Sequence, residues 1–592
     1  MDKVLIANRG EIAVRLARGC HDAGIVCVAV YADQELDAPH VRVADEAFAL
    51  GGTRPSDTYL SVEKLLDVAR RAGADAVHPG YGFLAESAEF ADAVVEAGLT
   101  WIGPPAKAIR DLGDKTVARR MAAAVGAPLV PGLSEPARDV SELRSFASDH
   151  GFPLLIKAAF GGGGRGMKVV RGPDELGPAY ESAVRESMAA FGRGECFAER
   201  YLEHARHLET QCLADVNGKV VVLSTRDCSL QRRNQKLIEE APAPFLADDQ
   251  VRRLYAASKA ILAEAGYVNA GTCEFLLAPD GTISFNEVNT RLQVEHPVTE
   301  LVTRIDVVQE QLRIASGGLI DYEDPVVEGH AIEFRVNGED PAVGFLPSPG
   351  RLRRWRVPSG PGVRWDGAYE EGDVLPAEFD SLLGKLIVYG GDRQHALAYA
   401  RRALAEFGVE GIATVLPMDR LVVDHPDFVS EPFRVHTRWI ETVLADTLDA
   451  LPQFVDRSET EPDGGRRRLT VEVDGRRVEV TLPEGFGTIG GPSLPPPPPR
   501  HRTEHPATGP GPANDAVTSP MQAKVVKVAV ANGQHVARGE TVIDVEAMKM
   551  EQSLRAPTDG WIQGLAVKVG DEVLRGEVLC RVTHEAPQKG AL

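Results

Sequence analysis

The sequence predicts a multidomain protein: an α/β domain at the amino terminus, further units of strands and helices, then a proline-rich linker and a small all-β barrel. Three observations predict this. The chain has 592 residues, and single hydrophobic cores seldom grow beyond roughly 250–300 residues. Apolar strand-like runs alternate with helical patterns up to about residue 445, and five consecutive prolines occupy residues 495–499. Valine-rich stretches broken by glycine turns fill residues 517–584, a pattern typical of a barrel or sandwich.

The first element to justify is the α/β domain, which we assign to residues 1–112. KVLIA (3–7) and VCVAVY (26–31) read as strands, and EIAVRLARGCHDAG (11–24) between them reads as a helix. Strand patterns end again at His78 and within LTWIG (99–103). Strands separated by helices predict βαβ units and a mostly parallel sheet. The first turn lacks the GxGxxG fingerprint of a dinucleotide site, so we interpret it as structural.

A glycine run, residues 161–164, lies between the strand-like segments LLIKA (154–158) and MKVV (167–170). Adjacent glycines are costly in chain entropy, but they let a backbone aim N–H groups at phosphate oxygens. Lys157 and Lys168 close by favour phosphate binding, with a flexible surface loop as the alternative. Neither the Walker loop nor the kinase loop spacing is present.

Two glutamates lie on what we predict to be adjoining strands. Glu274 occurs in GTCEFLL and Glu287 in FNEVNTR, with the turn signal Asp280-Gly281 between them. A hairpin brings both carboxylates to the same end of paired strands, where they repel unless a cation lies between them. Asn289 follows on the same strand face. Apolar neighbours favour magnesium ligation over the alternative, surface salt bridges.

Polar side chains cluster directly after this hairpin, in TRLQVEHP (290–297). Arg291 offers a planar fork that suits a small planar anion. Glu295 can take a proton from an anion held nearby. The basic segment QRRNQK (231–236) supplies further positive charge. These features predict an anion site beside the metal site.

Composition and charge exclude several classes of protein. The chain has 86 acidic and 65 basic residues, a net charge of −21, so it lacks the basic footprint of a general nucleic-acid binder. Its seven cysteines include no CxxC pair, which indicates neither a zinc site nor a disulfide framework and suits a reducing cytoplasm. No signal-peptide core or apolar run of about 18 residues is present. We expect a soluble, cytoplasmic protein that binds neither nucleic acid nor membrane.

A series of motifs, in order, closely resembles biotin carboxylase, an ATP-grasp enzyme. They are HPGYGFLAES (78–87), GDK (113–115), GGGGRGM (161–167), AERYLEHARHLETQ (198–211), RDCSLQRRNQK (226–236), EEAPAP (239–244), NEVNTRLQVEHPVTE (286–300), GVRWD (362–366) and FDSLLGKLIVYG (379–390). The resemblance runs from residue 1 to about 445. It implies an amino-terminal α/β domain, an ATP-grasp α+β domain with a mobile lid over ATP, and a further carboxylase domain.

The resemblance also implies roles for individual residues. ATP contacts fall to Lys115, Lys157, Gly163, Gly164, Met167, Glu199, Leu202, His207, Gln231, Asn234 and Leu276. The resemblance implies that magnesium or manganese is bound by Glu274, Glu287 and Asn289. It implies that bicarbonate is bound by Lys236, Arg291, Gln293 and Val294. Glu295 matches the base and Arg364 the arginine that meets biotin, so the catalytic set is Lys236, Arg291, Glu295 and Arg364. Asn234 departs from the family, since some relatives have histidine there.

A second resemblance lies after the linker. VEAMKM (545–550), followed by APTDG (556–560), is similar to the biotinyl-lysine site of a biotin carboxyl carrier domain. It implies a small all-β biotinyl, lipoyl-like barrel with biotin attached covalently to Lys549. A lipoyl domain would carry Asp-Lys-Ala at this place. SPMQAK (519–524) departs from the usual Pro-Gly-Thr after the methionine, a change we expect to be local.

These interpretations divide the chain into six parts. They are the α/β domain 1–112, the ATP-grasp domain 113–330 with its lid at about 126–205, the carboxylase carboxy-terminal domain 331–445, a small region 446–490, the linker 491–516 and the carrier domain 517–585. The small region contains a predicted hairpin, LTVEVDGRRVEVTL (469–482). That hairpin is equally consistent with a partner-docking surface and with a simple packed edge.

Together the two resemblances imply the α subunit of a biotin-dependent acyl-CoA carboxylase. It would carboxylate its own biotin with bicarbonate and ATP and supply a separate carboxyltransferase β subunit, which acts on acyl-CoA, with the acetyl or propionyl type favoured. A biotin protein ligase and an assembly of α and β subunits follow from that. Longer acyl-CoA and methylcrotonyl-CoA systems share this subunit design, so the sequence leaves the acyl group open. Three alternatives are weaker. Another ATP-grasp ligase has no use for the motif at 545–550, an inactive scaffold would not keep every charged site residue, and pyruvate carboxylase usually carries its transferase fused.

Overall fold

The structure is a computed structural model that describes residues 1–159, 167–454, 466–473, 476–483, 515–519, 523–547, 550–573 and 577–583. The chain forms two compact units, Met1–Gln453 and Phe454–Leu592. A multidomain chain is therefore confirmed.

The first unit begins with a five-stranded parallel sheet in the order β3-β2-β1-β4-β5. Its strands are β1 (Lys3–Ile6), β2 (Val26–Tyr31), β3 (Glu46–Ala49), β4 (Ala76–His78) and β5 (Thr100–Trp101). Its helices are α1 (Gly10–Asp22), α2 (Pro39–Val43), α3 (Val62–Ala72), α4 (Ala88–Glu96) and α5 (Ala106–Gly113). Val4 and Leu5 alternate between two apolar cores, one on each face of the sheet, as expected for buried parallel strands. The predicted βαβ organisation is confirmed.

A smaller layer with its own core follows. Helix α6 (Lys115–Ala124) precedes it and packs through Ala118 and Ala122 on the core of the following domain. The layer itself consists of α7 (Val140–His150), β6 (Leu154–Ala158), β7 (Lys168–Val170), α8 (Leu176–Phe191) and β8 (Cys196–Arg200). The sheet order is β7-β6-β8, all antiparallel. Leu143 on α7, Ile156 on β6 and Leu176, the first residue of α8, belong to one apolar cluster. Leu129, by contrast, packs on the core of the following domain, so the separate core begins a few residues after position 126.

The central element is an eight-stranded antiparallel sheet in the order β13-β12-β9-β10-β11-β14-β21-β19. Its first five strands in sequence are β9 (Arg206–Ala214), β10 (Val220–Arg232), β11 (Gln235–Ala241), β12 (Asn269–Leu277) and β13 (Ile283–Asn289), and its helices are α9 (Asp248–Glu264), α10 (His296–Thr303) and α11 (Val307–Ala315). Leu254 and Ile261 of α9 pack on Leu208 of β9. The sheet is nonlocal, because β14, β19 and β21 come from the next segment of the chain.

That segment completes the sheet and adds a helical cover. Its elements are β14 (His330–Asn337), β15 (Glu339–Asp340), β16 (Leu346–Pro347), β17 (Gly350–Arg351), β18 (Arg354–Arg356), β19 (Val363–Gly367), β20 (Val374–Leu375), β21 (Leu382–Gly390), α12 (Arg393–Glu406), β22 (Gly408–Glu410), α13 (Leu416–Val422), α14 (Pro426–Val429), a π-helix (Ile440–Leu444) and α15 (Ala445–Asp449). Leu448 of α15 is buried with Phe334 and Leu386. The compact unit therefore extends past residue 445 to Gln453.

The second unit contains only strands among its described residues. They are β23 (Arg466–Val473), β24 (Arg476–Pro483), β25 (Ala516–Thr518), β26 (Ala523–Val528), β27 (His535–Val536), β28 (Thr541–Ala547), β29 (Met550–Arg555), β30 (Gly560–Gln563), β31 (Glu572–Val573) and β32 (Val578–Thr583). Strands β23 and β24 pair antiparallel, so the predicted hairpin is confirmed at the backbone, while its turn at 474–475 lies outside the described residues. The strands β25–β32 form two four-stranded sheets, which confirms the all-β carboxy-terminal domain.

All seven cysteines are free and buried. No helix among the described residues is both long and apolar enough to cross a membrane.

A buried histidine makes the stability of the first unit dependent on pH. His40 on α2 is 1 % exposed, and burial lowers its pKa from 6.5 to about 4, with Glu35 opposing and Arg9 reinforcing the shift. Between these two values the unfolded chain binds a proton that the folded chain does not, so stability decreases as pH decreases. This amounts to about 2 kcal/mol between pH 6.5 and 5 for one histidine.

Replacing the histidine should therefore flatten this dependence. Between pH 6.5 and 5 the free energy of unfolding of His40→Leu should decrease by about 2 kcal/mol less than that of the wild type, as measured by urea unfolding. His395→Gln, at a side chain that is 66 % exposed, is the control and should keep the wild-type dependence. Equal slopes for His40→Leu and the wild type would contradict the prediction.

Candidate active site

The strand register builds a row of charged side chains across one end of the eight-stranded sheet. Glu287 on β13 lies directly opposite Glu274 on β12. Glu274 is opposite Glu209 on β9, and Glu209 is opposite Arg226 on β10. Residues directly opposite one another in an antiparallel ladder point to the same face. Three neighbouring carboxylates thus face the same side of the sheet, confirming the predicted pairing of Glu274 with Glu287.

Lys236 on β11 joins three of the carboxylates. Its Nζ lies 2.9 Å from Glu274 Oε1 and 2.9 Å from Glu295 Oε1, and it also contacts Glu209 Oε1. The side chain of Glu209 is fully buried and is held from its other side by the guanidinium of Arg226, at 2.9 and 3.0 Å. The structure therefore brings together residues from β9–β12 and from the turn before α10.

These groups are charged in the folded protein. Burial by itself would lower the pKa of the Lys236 ammonium and raise the pKa of the Glu274 and Glu295 carboxyls. The opposite charges outweigh it: the three glutamates hold the pKa of Lys236 well above its usual range. Lys236 in turn holds the pKa of Glu274 and Glu295 well below theirs, aided by His207 and Arg335 respectively. Each member therefore depends on its partners, since a buried charge left alone is costly.

Residues predicted for the metal, the anion and the nucleotide lie around Glu274. Asn289 Nδ2 donates to Glu274 Oε1 at 2.6 Å and Gln293 Nε2 donates to the same oxygen at 3.2 Å. His207 Nε2 lies 3.0 Å from Glu274 Oε2, and Gln231 Nε2 lies 3.2 Å from His207 Nδ1. The predicted residues His207, Asn289 and Gln293 therefore meet at one carboxylate, and Gln231 contacts His207 beside it.

The predicted phosphate-binding lysines also pair with acids. Lys115, the first residue of α6, lies 2.5 Å from Glu287 Oε2. Lys157 on β6 lies 2.5 Å from Glu199 Oε1 and 3.0 Å from Asn286 Oδ1. Glu199 on β8 also accepts from Arg119 at 2.8 Å. Both ammonium groups are thus near the end of β13 and close to the metal-ligand candidates.

Arg291 and Val294 flank the anion candidates. Arg291 Nε lies 3.0 Å from Glu86 Oε2, and its NH2 lies 3.3 Å from Asn289 Oδ1. The Val294 carbonyl accepts from Lys385 Nζ at 2.7 Å. Burial opposes the charge of Arg291, but Glu86 and Glu295 raise its pKa.

The remaining predicted nucleotide residues have less direct positions. Leu202 and Leu276 are half-buried, and Met167 is half-buried just before β7. Asn234 is exposed in the two-residue turn between β10 and β11, where it and Arg233 both have positive φ, 64° and 48°. Gly163, Gly164 and Lys549 lie outside the described residues. On either side of Met548 and Lys549, Ala547 ends β28 and Met550 begins β29, and these two residues pair with each other.

The structure places Arg364, the predicted biotin contact, beside acids other than Glu295. Arg364 on β19 is bonded to Asp366 at 2.6 Å and to Glu300 of α10 at 2.8 Å. The arginine that contacts the base candidate is Arg335 on β14, whose NH2 lies 2.9 Å from Glu295 Oε2. Its second partner is Glu239 at 2.5 Å. The physical reason is strand order: β14 lies beside β11, which carries Lys236, whereas β19 is the outermost strand of the sheet.

Sequence reasoning missed several contact residues, among them the charged residues Glu86, Glu209, Arg226 and Arg335. Each is a charged residue that lies in a strongly apolar segment or within one of the motifs given above, for example Arg226 in VVVLSTRDCSL. Arg226 and Glu209 are both 0 % exposed, and a charge predicted inside a buried strand is the signal that could have found them.

The donor set fits a magnesium ion. Glu274 and Glu287 offer carboxylate oxygens from directly opposed positions, and Asn289 offers an amide oxygen beside them. Oxygen ligands of this kind are those that Mg²⁺ prefers, usually together with phosphate oxygens. In the structure Lys236 neutralises Glu274, and Lys115 neutralises Glu287. A metal-bound polyphosphate could take over both kinds of partner, because it supplies cation and anion together.

Comparison with protein families matches the chain in four places. The biotin carboxylase N-terminal domain matches residues 1–109 and the biotin carboxylase C-terminal domain residues 333–442. The ATP binding domain of the carbamoyl-phosphate synthase L chain matches residues 114–322 between them. The family described as biotin-requiring enzyme matches residues 515–582.

Individual proteins match over most of their length. The biotin-dependent acyl-coenzyme A carboxylase alpha3 subunit of Mycobacterium leprae (strain TN) is 54 % identical over 592 residues, 98 % of both chains. Biotin carboxylase 1 of Bacillus subtilis (strain 168) is 45 % identical over 444 residues, 74 % of this chain and 98 % of the relative.

Solved structures agree. The biotin carboxylase domain of Hydrogenobacter thermophilus 2-oxoglutarate carboxylase, in complex with MgADP, ADP and bicarbonate, has a TM-score of 0.73 at 42 % identity, covering 76 % of this chain and 99 % of that one. A biotin carboxylase complex from Campylobacter jejuni has a TM-score of 0.73 at 37 % identity, covering 74 % and 98 %. The chain therefore belongs to the biotin-dependent carboxylase family, and it is a ligase that carboxylates biotin at the expense of ATP.

Proposed function

We propose that this chain uses bicarbonate to carboxylate a biotin attached to its own Lys549, and that it supplies a separate carboxyltransferase β subunit acting on acyl-CoA of the acetyl or propionyl type. The observation that carries the proposal is the combination, in one polypeptide, of the charged cluster around Lys236 and Glu274 with the VEAMKM sequence at 545–550. The first can activate bicarbonate, and the second can hold the carboxyl acceptor.

Nucleotide binding falls to residues on several elements. We assign the phosphates to Lys115 and Lys157 and to the backbone N–H groups of Gly163 and Gly164, which can aim at anionic oxygens. The pocket around the base and ribose is assigned to Met167, Glu199, Leu202, His207, Gln231, Asn234 and Leu276. Glu274, Glu287 and Asn289 would hold Mg²⁺, which when bound neutralises charge on the transferred phosphoryl group.

Bicarbonate activation falls to four side chains. Lys236 and Arg291 bind the anion, with Gln293 and the backbone at Val294 beside it, and orient its oxygen toward the γ-phosphate. Glu295 accepts the proton that the anion loses on phosphorylation. Because the anion shares Lys236 with Glu295, the ion pair that lowers the pKa of Glu295 is weakened, and the carboxylate becomes a stronger base at that step.

The carboxyl acceptor is the ureido nitrogen of biotin, which is the chemistry that the prosthetic group supplies when bound. Negative charge then develops close to the base. The contact of Arg335 with Glu295 at 2.9 Å supports Arg335 as the cation that stabilises this charge. Arg364 was the sequence-based choice, but its partners Asp366 and Glu300 support a positioning role instead.

The linker and partners complete the proposal. Residues 491–516 are 26 residues, and a flexible chain of this length spans about 28 Å, a proline-rich one up to roughly 80 Å. Such a tether lets Lys549 visit two active sites at an effective concentration near millimolar. A biotin protein ligase, a hetero-oligomer of α and β subunits and a cytoplasmic location follow. The region 446–490 is a candidate docking surface for the β subunit.

The direct test uses the full, biotinylated chain. We expect ADP formation in the presence of Mg²⁺ to require bicarbonate. Co-purification should then recover the carboxyltransferase, and a panel of acyl-CoA substrates with radiolabelled bicarbonate should give the strongest incorporation with acetyl- or propionyl-CoA. ATP cleavage that does not respond to bicarbonate would contradict the carboxylase assignment, and incorporation into another acyl-CoA alone would correct the substrate.

The metal assignment gives a separate prediction. Glu287→Gln keeps the shape of the side chain and removes its charge, so we expect the Mg²⁺ concentration for half-maximal ATP cleavage to increase by roughly tenfold or more. Glu96→Gln, at an exposed position of α4, is the matched control and should leave the Mg²⁺ dependence unchanged. An unchanged Mg²⁺ dependence in Glu287→Gln would remove this residue from the ligand set.

A further inference from the structure

Three potential metal ligands converge at the edge of the amino-terminal sheet. His21 lies in the last turn of α1, Cys27 is the second residue of β2, and Asp45 directly precedes β3. His21 Nε2 is 3.5 Å from Cys27 Sγ and 3.2 Å from Asp45 Oδ2. One donor atom from each residue lies within 4.8 Å of both others. The three elements thus present a nitrogen, a sulfur and an oxygen to one point.

These separations match a tetrahedral zinc site. With Zn–N, Zn–S and Zn–O bonds of about 2.05, 2.3 and 2.0 Å, a tetrahedral angle places the nitrogen about 3.6 Å from the sulfur and about 3.3 Å from the oxygen. The observed distances are 3.5 and 3.2 Å. The nitrogen therefore lies within about 0.1 Å of tetrahedral distances from both other donors, and the sulfur and the oxygen lie within 4.8 Å of each other.

The surroundings also suit a cation. Cys27 is 0 % exposed at the base of the cluster, whereas the side chains of His21 and Asp45 are 40 % and 43 % exposed. The two exposed ligands leave an entry path and room for water as a fourth ligand, an arrangement common at zinc sites with three protein ligands. A mixed nitrogen, sulfur and oxygen set selects a borderline-soft ion such as Zn²⁺ over Mg²⁺.

The backbone around the cluster is rigid enough to hold this geometry. The Cys27 N–H donates to Asp45 Oδ2 at 2.8 Å, and the Asp45 N–H donates to the Cys27 carbonyl at 3.1 Å. In the metal-free protein burial raises the pKa of the Cys27 thiol to about 11, so the sulfur carries a proton. Metal binding must displace that proton, as it does for thiol ligands in general.

We propose that His21, Cys27 and Asp45 form a binding site for Zn²⁺ or a similar divalent transition-metal ion. Binding forms a bond from the metal to Nε2 of His21, to a carboxylate oxygen of Asp45 and to Sγ of Cys27, and it releases the thiol proton to solvent. The ion ties the end of α1 to the amino-terminal ends of β2 and β3. The site is independent of the carboxylase centre, which is built on the eight-stranded sheet.

The test titrates the tag-free, biotinylated full chain, first stripped with a chelator, with Co²⁺ as a spectroscopic probe in excess Mg²⁺. We expect one equivalent of Co²⁺ to give a thiolate-to-metal charge-transfer band, and Zn²⁺ to displace it. Cys27→Ser should lose the band. His21→Ala and Asp45→Asn should each weaken Co²⁺ binding by roughly tenfold or more. Mutating a residue that merely hydrogen-bonds a metal ligand already decreases metal affinity by about tenfold or more.

Cys20→Ser is the matched control, since Cys20 is also buried and lies on α1 beside His21; it should keep the band. Bicarbonate-dependent ATP cleavage checks the folding of each variant. If Cys27→Ser does not fold, His21→Ala still decides, because its side chain is exposed. Absence of the band in the wild type, or a band of wild-type strength and affinity in Cys27→Ser or His21→Ala, would overturn the proposal.

Discussion

Lys549→Ala is expected to reduce acyl-CoA carboxylation by the assembled enzyme to background. The lysine lies in VEAMKM and is the proposed attachment point of biotin. Without the covalent arm the carboxyl acceptor is lost from the chain, together with the near-millimolar effective concentration that a tether provides. Intact mass should show one biotinyl group on the wild type and none on the variant.

The half-reaction separates attachment from chemistry. The Lys549→Ala protein should still cleave ATP in a bicarbonate-dependent way when free biotin is supplied at high concentration, because the charged cluster is on the other unit of the chain. Lys568→Ala, at an exposed lysine of the same barrel, should keep both the biotinyl group and the full activity. A biotinyl group that persists on Lys549→Ala would assign attachment to another lysine.

Arg335→Met is expected to slow the carboxylation of biotin by about 10²–10³, the usual cost of removing one donor that stabilises developing charge. Arg335 contacts Glu295 and Glu239 at 2.9 and 2.5 Å, so the same change removes the cation beside buried Glu239 and leaves Glu295 with Lys236. Removing one member of a buried ion pair costs about 3–5 kcal/mol. The rate must therefore be expressed per folded molecule, with urea unfolding as the measure of stability.

Arg364→Met is the matched control for this prediction. Arg364 also pairs with two buried acids, Asp366 and Glu300, so its loss should cost stability to a similar extent. We expect its rate per folded molecule to decrease much less than that of Arg335→Met. Equal rate losses in the two variants, or a wild-type rate in Arg335→Met, would return the role to Arg364.

Local parts of the site could be predicted because they depend on neighbouring residues only. The turn at Asp280-Gly281 brings Glu274 and Glu287 to the same end of the β12–β13 hairpin, as the sequence predicts. Their direct opposition depends in addition on a bulge between Glu274 and Phe275, which shifts the register by one residue and which the turn does not predict. Asn289 follows from the two-residue period of a strand. The hairpin at 469–482 was predicted in the same way.

Partners from distant strands could not be predicted from pattern alone. Glu209, Arg226 and Arg335 join the cluster because β9, β10 and β14 are ordered around β11 and β12 in one sheet. That order depends on which apolar faces pack together, and loop closure over tens of residues is a weak and slowly varying constraint on it. The different partners of Arg335 and Arg364 follow from the same strand order.

The sequence by itself determined the family, the α/β and all-β character of the two ends, the hairpin glutamates and the lysine that we propose to carry biotin, because motifs, periodicity and turns are local properties of the chain. The tertiary structure alone decided that Lys236 joins three glutamates, that Arg335 rather than Arg364 contacts Glu295, and that His21, Cys27 and Asp45 meet. Those contacts connect residues on different structural elements, separated by 6 to 59 positions in the chain, and only the packing of the complete sheets and helices brings such residues within bonding distance.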